Sequence, residues 1–71
     1  MNRYFLVDYH TPEGISKTKY MYLLGSDSWL NSVVTSYIVD SINGEVTAIS
    51  EVAKDGASII GRIYMRKDKK Q

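Results

Sequence analysis

Asp8 and His10 stand two positions apart, and on an extended strand both side chains project to the same side. A carboxylate orienting an imidazole is the smallest unit of acid–base chemistry. The chemistry stops there. The chain has no cysteine, no serine marked out as a nucleophile, and one histidine, which adjoins a turn. His10 reads as a solvent-facing residue near a hairpin end, and the chain is expected not to be an enzyme. With no cysteine and one histidine, a structural zinc site is excluded on ligand count, and no cofactor is expected. Gly25-Ser26-Asp27-Ser28 lacks the lysine and the spacing of a phosphate-binding loop, so helix capping is its sufficient explanation.

Six tyrosines against one phenylalanine carry more information. Tyr4, Leu6, Tyr20 and Tyr22 can share one face of a first hairpin, and Thr47, Ile49, Arg62 and Tyr64 continue that face if a second hairpin joins the sheet. Tyrosine offers a large, stiff contact surface whose hydroxyl can stay wet, which suits protein interfaces. The same rings can stack nucleic-acid bases, with Lys19, Arg62 or Arg66 near phosphate. Ordinary strand composition is the plainer explanation, since tyrosine fits a half-buried pleat. Trp29 is a candidate anchor for a partner's pocket; its plainer use is to pack over the adjacent sheet edge.

These residues must be positioned by one small domain, because 71 residues leave no room for a second core. Residues 1–66 form that domain and 67–71 a basic tail expected to fray. Arg66, Lys67, Lys69 and Lys70 crowd the last six positions, which reads as a solubilising terminus. A single core of this size rarely supplies more than about 3–5 kcal/mol, and neither disulfide nor zinc is there to reinforce it. Oligomerisation is the remaining reinforcement. The net charge of +1 gives no broad basic field and excludes a strongly acidic mimic of DNA. No run approaches a membrane span, the first apolar run is too short for a signal peptide, and the composition is compatible with the cytosol.

Residues 3–10 and 17–24 alternate and are rich in aromatic and β-branched types, so each reads as a strand. Thr11-Pro12-Glu13-Gly14 between them suits a type I turn followed by a glycine at positive φ. Setting Thr11 against Ile15 places Phe5 opposite Met21, Tyr4 opposite Tyr22, Leu6 opposite Tyr20 and Val7 opposite Lys19. Over 20–24 both faces of the second strand are apolar or aromatic, so each side is expected to be covered.

Ser26, Asp27 and Ser28 offer N-caps for a helix from Trp29 to Ile42, with Asn43-Gly44 as a left-handed stop. Leu30, Val34, Tyr37, Ile38 and Ser41 follow its inner face, with Val33 and Ile42 beside it. Four β-branched residues keep a strand over 33–39 in contention, and the caps and length favour helix. For the second hairpin, Asp55-Gly56 signals a two-residue type I′ turn. That register puts Val46, Ala48 and Val52 with Ile59, Ile63 and Met65 on one face, and Thr47, Ile49, Glu51, Ile60, Arg62 and Tyr64 on the other. The competing three-residue loop, 54–56, mixes charged and apolar residues on both faces. Gly61 marks a bulge or a close approach.

The predicted fold is α+β, ordered ββαββ, with one helix on one face of a mainly antiparallel four-stranded sheet. The expected function is that of a small interaction protein using its tyrosine-rich sheet face, chiefly to form a homo-oligomer. A heterologous protein partner comes next, and nucleic acid or a nucleotide is the alternative from another class; no membrane role is expected.

Overall fold

The computed structural model describes residues 2–67. It comprises β1 (Arg3–His10), β2 (Ser16–Leu23), α1 (Asn31–Ser41), β3 (Glu45–Val52) and β4 (Ile59–Met65). The ββαββ order and α+β class hold. The four strands form one antiparallel sheet ordered β2-β1-β3-β4, so the helix links two strands that run the same way on either side of β1. Residues 68–71 of the expected frayed tail lie outside the described residues.

The first hairpin has the register its sequence predicts. Tyr4 pairs with Tyr22, Phe5 with Met21, Leu6 with Tyr20 and Val7 with Lys19. Its loop closes by Thr11 N–H donating to the Ile15 carbonyl (2.9 Å) and Gly14 N–H to the Thr11 carbonyl (2.8 Å). Gly14 takes φ +86, a conformation that a side chain would strain.

The second hairpin departs from its prediction. Asp55 does not adopt positive φ; Gly56 alone does, at +75. The loop spans the four residues 54–57, closed by Ala53 N–H to the Ser58 carbonyl (2.8 Å) and Gly56 N–H to the Ala53 carbonyl (2.9 Å). Neither the two-residue nor the three-residue turn is present. The reason lies in the Asp55 side chain. Its Oδ1 accepts from the N–H groups of Ala57 (2.8 Å) and Ser58 (3.0 Å), and its Oδ2 from the Ser58 hydroxyl (2.9 Å). This side-chain cap stabilises an ordinary right-handed turn, which a type I′ pair would forgo.

Two register shifts occur along β4. Val52 faces Ile59 as expected, but Glu51 faces Gly61, Ser50 faces Arg62, Ile49 faces Tyr64 and Ala48 faces Met65. Ile60 and Ile63 are the extra residues, so the expected pairing of Ala48 with Ile63 does not form. A third shift, between Asp8 and Tyr9, leaves Thr47 without a register partner in β1 and returns Val46 to the inner face. Because each bulge reverses the parity of the strand beyond it, the expected faces of β3 and β4 are largely exchanged.

The core lies between α1 and the inner face: Phe5, Val7, Leu23, Val34, Ile38, Val46 and Ile49, with Tyr9, Met21, Trp29, Ile42, Ile63 and Tyr64 packed against it. Val34 and Ile38, four apart, are the buried residues of the helix. Leu30 is not among them; it is 70% exposed at the N-cap position. The helix starts two residues later than predicted and without a side-chain cap. Ser26, expected as a cap, is buried elsewhere: its hydroxyl donates to the Leu23 carbonyl (2.6 Å) and accepts from Arg3 N–H (3.2 Å). The helix ends at Ser41, and Ile42 after it is in extended backbone. Gly44, expected to stop it in the left-handed conformation, instead has φ +148 and lies against β1. A Cβ there would fall 2.1 Å from the His10 carbonyl oxygen.

Candidate functional site

The pairings define three rows across the sheet's outer face, opposite the helix. They read Tyr22–Tyr4–Val52–Ile59, then Tyr20–Leu6–Ser50–Arg62, then Thr18–Asp8–Ala48–Met65. Strict alternation in β1 and β2 brings Tyr4, Leu6, Tyr20 and Tyr22 together, and a bulge on either side of Arg62 adds it to their row. Ile49 and Tyr64, predicted for this face, are not on it. Ile49 is fully buried in the core and Tyr64 packs against that core from the next strand. In their place the face holds Ile59 and Met65, 64% and 58% exposed, although alternation alone assigns both to the core.

The tyrosines form a ladder. Tyr4 lies 6.3 Å from Tyr20 with rings nearly parallel, and 6.2 Å from Tyr22 with rings tilted. Such contacts add about 0.5–1.5 kcal/mol beyond burial. Tyr20 also crosses β1 to meet the tip of the second hairpin. Its hydroxyl donates to the Lys54 carbonyl (3.3 Å), and a Cβ at Gly56 would lie 3.2 Å from its ring. The tip thus covers part of Tyr20, and the phenol pKa is raised by desolvation first, then by Tyr4, Asp55 and Tyr22. Tyr22, at the other end of the ladder, is 55% exposed.

Charge on the outer face is sparse. Asp8 Oδ1 accepts from the Thr18 hydroxyl (2.7 Å), and Arg62 Nη1 donates to Met65 Sδ (3.6 Å). Asp8 and His10 border one depression of about 240 Å³ with Ser16, Lys17, Thr18 and Thr47, yet the carboxylate bonds to Thr18. Among the described residues no cluster of three or more histidine, cysteine or acidic side chains could hold a metal.

Trp29 packs against the core and meets Tyr37 edge-on at 5.8 Å. The two rings, with Tyr22, Leu23 and Leu24, line an open cleft of about 460 Å³. The first residue that sequence reasoning missed is Arg3. Its Nε and Nη2 donate to Glu51 (3.0 and 2.9 Å), Nη1 to the Trp29 carbonyl (2.9 Å) and Nη2 to Asn31 Oδ1 (2.7 Å). This fork joins β1, β3 and the start of the helix, and its pKa is raised by the Glu51 hydrogen bond. The bulge that turns Glu51 inward is what the sequence concealed.

No family model matches the chain, and no curated protein or solved structure is significantly similar to it. Among the described residues no helix is long and apolar enough to cross a membrane.

Proposed function

We propose that this protein is a non-enzymatic interaction module that self-associates through the outer sheet face. One observation carries the reading. The twelve-position face presents three tyrosines, Leu6, Ile59 and Met65, with Asp8 and Arg62 as its charged members. A surface of that kind, poor in charge and rich in tyrosine, resembles the centre of protein interfaces. The sheet's edges are poorer routes to a second copy. β4 is broken by two bulges, and β2 carries Lys17 and Lys19 on its inner side.

Light scattering across a concentration series tests the proposal. The parent chain should show a concentration-dependent oligomer, and Tyr22→Arg, which sets a charge in the face, should shift it to monomer. Far-UV circular dichroism checks that the variant folds. A parent chain that stays monomeric throughout would overturn the proposal.

Base stacking on the same tyrosines is the second reading, and Arg62 is the observation that favours it. Arg3 and Arg66 are engaged by Glu51 and Glu45. Under that reading, labelled oligonucleotide should bind in a strongly salt-dependent manner and Arg62→Ala should weaken it. Under self-association, salt has little effect.

A further inference from the structure

The hydrogen bonds that close the first hairpin also fix the phase of its free edge. Thr11 N–H donates to the Ile15 carbonyl, so these two residues turn backbone groups toward each other, and positions of that kind alternate along an antiparallel ladder. In β2, Lys17, Lys19, Met21 and Leu23 therefore turn their backbone groups toward β1. Ser16, Thr18, Tyr20 and Tyr22 turn theirs to the open side. The ladder with β1 runs over eight pairs with no shift, so the edge is regular throughout. β4 offers no such edge, since its two bulges disrupt the repeat.

Lys17 and Lys19 add a chemical preference. Both are exposed, and they share the inner side with Met21 and Leu23. Among the described residues neither ammonium is in an ion pair. A second copy of β2 would fit this edge poorly. Centred on Lys19 or Thr18, self-pairing sets lysine directly against lysine. Centred on Tyr20, it sets each lysine against Met21 or Leu23 of the other copy. Across an incoming antiparallel strand, the positions facing Lys17 and Lys19 are the non-bonded pairs, where side chains approach most closely.

We infer that the β2 edge is a docking site for an extended segment of another protein that carries acidic residues at two alternate positions. Backbone bonds to Ser16, Thr18, Tyr20 and Tyr22 would add a fifth strand, and Lys17 and Lys19 would select its sequence. The intervening side chains of the guest would lie beside Tyr20 and Tyr22. The lysines thereby serve two ends, opposing self-pairing and choosing an acidic guest.

The probe is an end-blocked octapeptide alternating threonine and glutamate, with a threonine–lysine octapeptide as control. Binding to the full chain is measured by fluorescence anisotropy, and amide exchange by NMR. The glutamate peptide should bind at least about tenfold more tightly than the lysine peptide. It should slow exchange at the amides of Thr18, Tyr20 and Tyr22. The double reversal K17E/K19E should invert the preference, and methylating the peptide's alternate amides that face β2 should abolish binding. Equal binding of the two peptides, no binding of either, or protection confined to the outer face would overturn the inference. Because both lysines lie off the outer face, the K17E/K19E variant should self-associate as the parent does.

Discussion

The two hairpins have strands of similar length and glycine-bearing turns. Yet β1–β2 keeps one register over eight pairs, while β3–β4 shifts twice within seven residues of β4. The difference lies in how much each pattern excludes. In β1, Phe5 and Val7 alternate with Leu6 and Asp8, so a slip by one would expose Phe5 and bury a carboxylate. In β3 and β4, Ala48-Ile49 and Ile59-Ile60 put apolar side chains at adjacent positions. Either parity buries something apolar, and a bulge costs little by comparison. What decides is then the loop chemistry at Asp55 and the fork from Arg3 to Glu51, both of which act through particular hydrogen bonds rather than periodicity.

The largest effect should come from the residue on which both hairpins depend. Ile38, on the inner side of the helix, is fully buried in one cluster with Phe5 and Val7 of the first hairpin and Val46 and Ile49 of the second. Ile38→Ala should lower stability by about 2–5 kcal/mol, read by denaturant unfolding, enough to threaten a domain this small. A loss under about 1 kcal/mol would mean that the hairpins hold together without the helix.

Next comes the tie between the hairpins. Glu51→Ala strands a largely buried guanidinium and should cost roughly 1–3 kcal/mol. Replacing both Arg3 and Glu51 by methionine should recover part of that loss, since no charge is then left unpaired. A double variant as unstable as the single one would show that the bonds to Trp29 and Asn31 matter more than the pair.

A smaller contrast should appear in amide exchange. Protection should be greatest along β1 and β3, the two central strands, and weakest around Ile60 and Ile63, where the ladder is interrupted. Uniform protection across β4 would contradict the bulges. The smallest effect belongs to the second turn. Three hydrogen bonds hold the Asp55 carboxyl below its ordinary value of 3.8, so the charged form is favoured by folding. Its contribution is present above the unfolded value and lost as pH falls through the lower folded one. Amide shifts of Ala57 and Ser58 should track that low midpoint, and Asp55→Asn should remove the titration.

Much of the molecule is legible in its residues. Thr11-Pro12-Glu13-Gly14 specifies the first turn and its register, and with it the grouping of Tyr4, Leu6, Tyr20 and Tyr22. The spacing of Val34 and Ile38 specifies the buried stripe of the helix. The true places of Ile49 and Tyr64 are not legible, because bulges at Ile60, Ile63 and Thr47 leave no trace in an alternation that is apolar on both sides. Nor is the helix start, because Ser26 satisfies the Leu23 carbonyl and the Arg3 amide, a tertiary use that local capping rules do not contain.

The strand order β2-β1-β3-β4 has a kinetic consequence. Each hairpin is local and can close in microseconds, but neither alone encloses Phe5, Val7 and Ile49. That enclosure waits for β1 to find β3, with Tyr4 meeting Val52 across the whole intervening chain. The entropy of closing so long a loop must be met before any of the central contacts is gained. The rate of folding is therefore set at the seam between the hairpins: substitutions at Val7 or Ile49 should slow folding, while those at the outer strands mainly hasten unfolding.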